Sequence, residues 1–438
     1  MTETIILGGG LAGLSAAYHL GEGFRIIEKA ERVGGFTRTE DLEGFLFDVT
    51  GHWLHLRDAQ TKALIAKLMP DAFVTIERVA RVFSHGIFTR YPYQVNTHGL
   101  PPALVAECLT GYVEANFGEK GRALRERSLT TFAEFIERYL GDGFAKHFMF
   151  PYNQKIYTVH PRELTAEWCG RFVPRPSLKE VVDGALGLGT DQAGYNATFI
   201  YPREGGIEAL PRSFLPHLKG PVDCGVHPTA IDWKAKAVTL SDGRTLRYDA
   251  LLSTVNLPEL VTLLVQGGAE VPAEVVAAAK RLRGTTVTYV NVAAKGKGKG
   301  FQWVYFPGED FPFYRAGSAS AAYAKLAPAG CQSFYVEFAQ QGRRDHREAC
   351  AQAVDGLVRC GMIDKKEDVL FAVARDIQNA YVLYDAEYGP ARTTVMAFLD
   401  RIGVDTAGRY GRWEYSSMED AIIAGRESAP RLQKARGG

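Results

Sequence analysis

The sequence predicts an α/β fold: a Rossmann-like dinucleotide-binding domain with a helical insertion and a second, antiparallel or mixed sheet domain. The prediction rests on an apolar strand, Ile5–Leu7, that runs straight into a glycine-rich turn, and on a second apolar strand that ends in Glu28. In this spacing Gly8 permits a tight turn, Gly10 lets the backbone approach a pyrophosphate, and Gly13 lets the next helix pack against its strand. Glu28 lies about 20 residues beyond the first glycine, where a ribose hydroxyl needs an acceptor.

A second glycine doublet, Gly34–Gly35, followed closely by Arg38, indicates which dinucleotide is bound. FAD needs more phosphate and ribityl contacts than NAD, and backbone amides together with a cation can supply them. The last cysteine in the chain is Cys360, so no later cysteine is available to tether a flavin. The sequence therefore predicts FAD, bound non-covalently.

Charge balance and hydropathy exclude several classes of function. The 438 residues include 51 Lys and Arg against 50 Asp and Glu, so no nucleic acid is expected as a partner. There is neither a run of about 20 apolar residues nor a signal-peptide pattern, so we expect no membrane span and a cytoplasmic protein. The six cysteines have no metal-ligand spacing, so we expect reduced thiols and no metal site.

The chain divides into three predicted domains. A discontinuous FAD-binding domain takes residues 1–85, 197–262 and 385–438, a helical substrate or cap domain takes 86–196, and a sheet domain at the substrate cleft takes 263–384. Apolar spacing predicts helices over 131–140 and 177–188. A turn at 241–243 predicts a hairpin within 235–248, a buried parallel strand follows at 249–255, and further strands are expected at 286–293, 303–306 and 333–338.

The start of the chain resembles the FAD-binding start of amine oxidases, phytoene desaturases and UDP-galactopyranose mutases, a GR2-type arrangement. Further motifs resemble successive motifs of the mutases, closer to the eukaryotic type than to the short bacterial type. In order they are Gly51-His52, Tyr91-Pro-Tyr-Gln94, 150–157 (FPYNQKIY), 167–171 (EWCGR), 196–199 (NATF), 303–307 (WVYFP), Phe313-Tyr-Arg315 and 408–415 (GRYGRWEY).

This resemblance implies an isomerase of the amine oxidase and protoporphyrinogen oxidase superfamily. Such enzymes interconvert the pyranose and furanose forms of a nucleotide-linked galactose without net redox, by covalent catalysis through N5 of a reduced FAD. UDP-galactose is then the default substrate, NADPH or NADH the reductant, and an oligomer is possible.

The resemblance also implies roles for individual residues. His52, Arg171 and Arg315 would be catalytic, the two arginines as a clamp on the diphosphate. The residues expected to bind substrate are Tyr93, Gln94, Tyr152, Asn153, Tyr157, Asn196, Tyr305, Tyr388 and Tyr415. The residues expected to bind FAD are Gly8, Gly10, Leu11, Ala12, Gly13, Glu28, Lys29, Gly34, Gly35, Arg38, Gly51, His52, Val226, Arg409 and Met418.

Two positions depart from the mutase pattern. Tyr157 stands where the family usually has tryptophan, and Met418 where it has an amide whose hydrogen bonds a thioether cannot make. Two other classes of function remain open from the sequence. One is an FAD-dependent oxidoreductase of the amine oxidase, desaturase or protoporphyrinogen oxidase type, and the other is a flavin-binding sensor or scaffold without catalysis.

Overall fold

The computed structural model describes residues 3–189 and 198–437, apart from the side chains of Lys120, Arg171 and Phe172. The predicted contacts of the Asn196 side chain and of the Arg171 guanidinium therefore lie outside the described parts of the chain. Both contacts stay predictions.

The strands are distributed along the whole chain. In order they are β1 (Thr4–Leu7), β2 (Phe24–Glu28), β3 (Thr39–Leu42), β4 (Phe45–Asp48), β5 (Phe73–Glu77), β6 (Ala80–Ser84), β7 (Ile87–Arg90), β8 (Thr198–Pro202), β9 (Val222–Cys224), β10 (Pro228–Asp232), β11 (Ala237–Leu240), β12 (Thr245–Arg247), β13 (Ala250–Ser253), β14 (Gly284–Lys295), β15 (Trp303–Tyr305), β16 (Arg315–Ser318), β17 (Cys331–Gln340), β18 (Val369–Val382) and β19 (Val404–Thr406).

The helices are concentrated in the first half and at the C-terminus. In order they are α1 (Leu11–Leu20), α2 (Ala59–Leu68), α3 (Pro102–Phe117), α4 (Glu119–Arg125), α5 (Phe132–Tyr139), α6 (Gly141–Phe144), α7 (Phe150–Tyr157), α8 (Cys169–Phe172), α9 (Leu178–Ala185), α10 (Ala209–Arg212), α11 (Leu257–Gln266), α12 (Ala273–Arg281), α13 (Ala319–Ala322), α14 (His346–Arg359), α15 (Tyr388–Arg401), α16 (Gly408–Gly411) and α17 (Met418–Gly437).

One sheet is parallel, with the strand order β19-β13-β1-β2-β9. Every residue of β1 is buried, as expected of a strand covered by helices on both faces. α1 begins directly after the glycine turn that follows β1. The α/β fold class is confirmed, and so is the expectation that β2 ends in Glu28.

The second large sheet has the order β18-β14-β17-β16-β15-β6-β7. It is mixed, because β15 and β6 run parallel whereas the other pairs are antiparallel. The expected strands at 286–293, 303–306 and 333–338 all belong to this sheet. The predicted boundary at residue 85 falls inside the hairpin of β6 and β7, and the division into domains stays a prediction.

Helices α3 to α9 lie between β7 and β8 in the chain. The expected helices appear as α5 and α9, and each begins with a capping box, Thr131 with Glu134 and Ser177 with Glu180. α6, a π-helical turn at Ala145–Met149 and α7 follow one another without a break. The aromatic core of this region includes Tyr93, Phe132, Phe144 and Phe148.

The expected hairpin forms from β11 and β12, and β13 is the expected buried parallel strand. Over residues 3–189 and 198–437, no helix combines the length and the apolar character needed to cross a bilayer.

Candidate active site

One cavity of about 1020 Å³ is lined by residues from the parallel sheet, the helical region and the mixed sheet. Its wall begins at the glycine turn after β1 and ends at aromatic and arginine side chains of β15 to β18. The volume is at the upper end for a single ligand site. The cavity can therefore take a large cofactor with a second molecule beside it.

The turn between β1 and α1 leaves bare backbone at the start of a helix. Gly8 has φ +107°, and a Cβ there would lie 2.1 Å from Thr254 Oγ1. A Cβ on Gly13 would lie 2.0 Å from the carbonyl oxygen of Gly8, so only glycine allows α1 to pack this close. The first amides of α1 are thus accessible to an anion, as a pyrophosphate requires.

Glu28 is held by the same turn. Its Oε2 accepts a hydrogen bond from the Gly9 amide at 2.8 Å, and its Oε1 accepts one from the Ala30 amide at 2.8 Å. A carboxylate has about four lone-pair sites, so acceptor capacity remains on this buried group for ribose hydroxyls. Glu28 therefore lies at the cradle with acceptor capacity left, and its contact with a ribose stays a prediction.

The second glycine doublet completes the cradle. Gly34 and Gly35 both have positive φ, +123° and +60°, and the Gly34 amide donates to the Gly9 carbonyl at 2.8 Å. Nη2 of Arg38 donates to the Arg32 carbonyl at 2.9 Å and lies 3.5 Å from Glu28 Oε1. Its buried Nε has no hydrogen-bond partner among the described residues, so one donor of this cation is left beside the cradle. The residues present therefore fit a dinucleotide such as FAD.

His52 follows β4 in a segment that two buried groups anchor. Tyr201 and Thr39 both donate hydroxyl hydrogen bonds of 2.6 Å to Asp48, whose pKa burial raises to about 7. A Cβ on Gly51 would lie 2.8 Å from the Tyr335 hydroxyl, so the backbone passes close to the mixed sheet here. These contacts fix the direction in which His52 enters the cavity.

The imidazole of His52 is neutral at physiological pH. Its pKa is lowered to about 4, chiefly by burial and in smaller part by the positive charges of Arg409 and Arg315. Nδ1 of His52 is buried without a hydrogen-bond partner among the described residues. A neutral ring with an uncommitted nitrogen is suited to contact a cofactor ring rather than to act as a cation.

Arg315 is oriented by a buried carboxylate. Its Nη2 donates to Glu337 Oε2 at 2.5 Å, and Glu337 has a side-chain exposure of 1%. Tyr314 donates to the same carboxylate oxygen. The guanidinium lies over the Trp303 ring at 4.6 Å from its centroid, and Nε has no partner among the described residues. Arg315 is therefore a held guanidinium with donor capacity left for an anionic ligand.

Flat aromatic rings form the adjoining wall. Tyr91 and Tyr305 stack with centroids 4.7 Å apart, and Tyr152 meets Tyr305 edge to face at 5.3 Å. Arg78 lies over Tyr91 at 5.0 Å and donates to the Tyr305 hydroxyl at 3.2 Å. Such a wall suits a planar ring, and the nearby buried amide of Gln94 adds hydrogen-bonding groups.

A second arginine is packed between tyrosines on the opposite part of the wall. Arg409 lies 4.7 Å from the Tyr415 ring centroid and 5.4 Å from that of Tyr381, and it donates to the Ala380 carbonyl. The Tyr415 amide donates to the Tyr384 hydroxyl at 2.7 Å. This network joins α16 to the end of β18.

Most of the residues that the sequence singles out line this one cavity. They are Gly8, Gly10, Leu11, Ala12, Glu28, Lys29, Gly34, Gly35, Arg38, Gly51, His52, Gln94, Tyr152, Asn153, Tyr157, Tyr305, Arg315, Arg409, Tyr415 and Met418. Gly13 does not line the cavity, but its lack of a side chain lets α1 pack against the turn at Gly8. Val226 does not line the cavity either, and it donates its amide to the Glu28 carbonyl at 3.2 Å.

Two expected substrate contacts lie away from the wall. Tyr93 is fully buried and stacks on Phe148 at 4.9 Å, because its strand-to-helix turn points the ring into the helical core. Tyr388 packs against Tyr384 at 4.7 Å and donates its hydroxyl to the Trp413 carbonyl at 2.9 Å. Both residues make packing contacts within the protein, and their contact with a substrate stays a prediction.

Met418 is the first residue of α17 and lines the cavity with an apolar side chain. The polar groups beside it are committed to the protein. Ser417 and Asp420 bond each other, and Glu419 Oε1 accepts the Asp58 amide at 2.8 Å. The missing amide at position 418 is therefore not replaced by these neighbours.

Sequence reasoning did not assign roles to several residues of the wall. They are Arg78, Tyr91, Trp303, Glu337, Tyr381 and Tyr384. One signal was available for Glu337, because a single acid inside the apolar run 334–338 must be paired when its strand is buried. The other residues reach the cavity only because of the way the strands pair and face each other, and a single sequence does not show this pairing.

The fold and the cavity define a dinucleotide-cofactor protein with an adjoining ligand site. A model of the flavin containing amine oxidoreductases matches residues 11–433, and the chain belongs to this family. Membership confirms the placement in the amine oxidase superfamily and supports a flavin as cofactor.

Solved structures share the fold across nearly the whole chain. A reduced UDP-galactopyranose mutase is similar with a TM-score of 0.90 and 24% identity, over 99% of this chain and 94% of that one. A putative protoporphyrinogen oxidase from Exiguobacterium sp. 255-15 is similar with a TM-score of 0.76 and 16% identity, over 99% of both chains. A putrescine oxidase variant has a TM-score of 0.66 at 13% identity, over 99% of both chains.

Proposed function

We propose that this protein is an FAD-dependent isomerase like UDP-galactopyranose mutase, which interconverts the pyranose and furanose forms of a nucleotide sugar. The observation that carries the proposal is the position of Arg315. Its guanidinium, oriented by Glu337, lines the same cavity as the dinucleotide cradle and His52. A nucleoside diphosphate bound there would lie beside the cofactor.

Bound and reduced, FAD would supply the nucleophilic N5 that the isomerisation needs. The protein's own task is to hold a diphosphate that leaves the sugar and must return to it. A guanidinium provides fixed, charge-assisted donors for this purpose, and Arg315 keeps its charge because Glu337 compensates its burial. Arg171 is proposed as the second cation of this clamp.

The nucleotide base is assigned to the aromatic wall. Tyr152 and Tyr305 offer ring faces, and Gln94 offers an amide that is 4% exposed. Asn153 and Tyr157 would contact the same half of the ligand, with Tyr415 near the phosphates. Asn196 is proposed to contact the ligand as well.

Cofactor contacts are assigned to the glycine cradle, Glu28 and Arg38, with Arg409 on the pyrophosphate. His52 would lie against the isoalloxazine ring as a neutral imidazole. It would donate or accept a hydrogen bond there and would stay neutral at physiological pH, because its pKa lies far below neutrality. NADPH or NADH is proposed as the source of reducing equivalents.

Binding of UDP to the purified yellow protein tests the diphosphate site directly. Isothermal calorimetry on the wild type should show one site, and Arg315→Ala should weaken binding about a hundredfold while the flavin stays bound. Arg401→Ala, at an exposed position of α15, is the matched control and should bind like the wild type. Equal UDP affinity in Arg315→Ala would remove this residue from the diphosphate site.

The apolar Met418 in the cavity wall favours a second candidate, an FAD-dependent oxidoreductase. An apolar contact at this position suits a substrate that needs no amide, such as an amine or a porphyrinogen-like ring. Oxygen consumption with a panel of amines, together with no UDP binding, would select this function over the isomerase.

A further inference from the structure

Lys155 occupies a cage of main-chain carbonyl groups. Its Nζ donates to the carbonyl oxygens of Phe306 at 2.8 Å, Phe311 at 2.6 Å and Phe313 at 3.4 Å, and also to that of Gly308. All four acceptors belong to the loop 306–314, which connects β15 with β16. A single ammonium group therefore binds carbonyl oxygens at four positions along this loop.

Both partners of this contact lie next to residues that line the cavity. Lys155 belongs to α7, which also carries Tyr152 and Asn153 into the cavity. The loop leads directly into Tyr314 and Arg315. The rings of Tyr152 and Tyr314 meet edge to face, with centroids 6.3 Å apart. Lys155 itself does not line the cavity.

An ammonium group is suited to this place and few other groups are. It presents three donors from one atom, whereas the planar guanidinium of arginine cannot converge on carbonyls from several directions. Burial lowers the pKa of Lys155 to about 8, and the charges of Asp310 and Glu309 oppose that shift, so the group is still largely charged at neutral pH. A neutral side chain of equal length would leave the carbonyls without donors.

We propose that Lys155 is a positioning residue whose ammonium fixes the loop 306–314 against α7 and so sets the place of Arg315 relative to Tyr152. The effect on ligand binding rests on the proposed function, whereas the fixing of the loop does not. Misplacing a binding group by about 1 Å costs up to about a hundredfold in rate or affinity.

Two variants separate the effect of the Lys155 ammonium group from the effect of its side-chain volume. Lys155→Met keeps the length of the side chain without its charge, and Lys155→Ala leaves room for propylammonium, which restores the missing atoms. We expect both variants to keep bound flavin and to bind UDP about ten to a hundredfold more weakly than the wild type. Propylammonium should restore much of the affinity of Lys155→Ala and none of that of Lys155→Met, whose side chain fills the site.

Hydrogen exchange of the holoprotein supplies a readout that needs no ligand. Amides of 306–316 should exchange at least about tenfold faster in Lys155→Met, with those of β14 unchanged. Lys146→Met is the matched control, because Lys146 is an exposed lysine that pairs with Glu107 and lies on the same helical segment. It should alter neither exchange in this loop nor UDP affinity.

Unchanged exchange in the loop would overturn the inference. Faster exchange with wild-type UDP affinity, in a protein that binds UDP, would overturn the positioning role and leave only a stabilising one. A wild-type protein that does not bind UDP would instead count against the proposed function, and the exchange result would still decide whether Lys155 fixes the loop.

Discussion

Arg315 and Glu337 lie directly opposite each other in the antiparallel ladder of β16 and β17, and Nη2 of the arginine donates to Glu337 Oε2 at 2.5 Å. The pair is nearly closed to solvent, with side-chain exposures of 13% and 1%. A buried charge needs a partner, and here the partner also directs the guanidinium into the cavity.

Replacing Glu337 by glutamine should destabilise the protein, because it leaves the buried Arg315 without a counter-charge. We expect the free energy of unfolding to fall by about 2–4 kcal/mol, measured by urea titration of the holoprotein. Added UDP should stabilise Glu337→Gln more than the wild type, since the diphosphate replaces the missing negative charge. Glu126→Gln, at an exposed position, is the control, and a stability equal to that of the wild type in Glu337→Gln would contradict the pairing.

Gly13→Ala should release the flavin. The new Cβ would lie 2.0 Å from the Gly8 carbonyl oxygen, so α1 must shift away from the phosphate-binding turn. The measurement is the ratio of flavin absorbance to protein absorbance after gel filtration, which should fall at least about tenfold. At Gly389 an added Cβ meets nothing within 4 Å, so Gly389→Ala should retain its flavin. A fully yellow Gly13→Ala protein would show that the turn does not hold the cofactor.

His52 should contribute to the loss of stability in acid. Its folded pKa of about 4 lies below the ordinary histidine value of 6.5, so the unfolded chain binds a proton first. Stability from this group is present above pH 6.5 and is lost as the pH falls from 6.5 to 4. After allowance for its partial exposure, the loss is about 1–2 kcal/mol. His52→Gln should therefore show a shallower decline of unfolding free energy over this window. Parallel pH profiles for the two proteins would show that His52 does not titrate in this way.

Substitutions of Tyr93 and Tyr152 should affect different quantities, the stability of the fold for Tyr93 and the affinity for UDP for Tyr152. Tyr93→Leu opens space in the helical core and should lower the free energy of unfolding by about 2–4 kcal/mol. UDP affinity should change little in that variant. Tyr152→Leu removes a ring face from the cavity wall and should weaken UDP binding about tenfold with a smaller loss of stability. Calorimetry and urea titration on the two variants give both quantities, and the reverse pattern would exchange their roles.

The parts of the site that follow from the sequence are local ones. The turn at Gly8 to Gly13 and the acid at Glu28 depend on short-range spacing, because one strand, one turn and one helix are enough to create the cradle. Three strands of the mixed sheet, β14, β15 and β17, could also be predicted from their apolar runs, whereas β6, β7, β16 and β18 were not predicted. Arg315 was indicated only by resemblance, as its role depends on contacts far away in the chain.

The sequence does not show which strands and side chains that are far apart in the chain come into contact. The register of β16 against β17 places Glu337 opposite Arg315, and a shift by one residue would turn that carboxylate to the other face. Tyr93 and Tyr388 carry the right chemistry for a ligand, but the backbone packs the buried Tyr93 on Phe148 and the half-buried Tyr388 on Tyr384. The carbonyl cage of Lys155 is formed by main-chain atoms, which leave no signature in side-chain chemistry.

We propose that this family member exchanges sugar ring forms beside a reduced flavin. The most direct measurement is to incubate the purified yellow protein with UDP-galactofuranose, with and without dithionite, and to quantify UDP-galactopyranose by liquid chromatography. Conversion that requires dithionite and disappears in Arg315→Ala is the predicted result. No conversion by a protein whose flavin is fully reduced and which binds UDP would contradict the assignment of galactose ring isomerisation to this site.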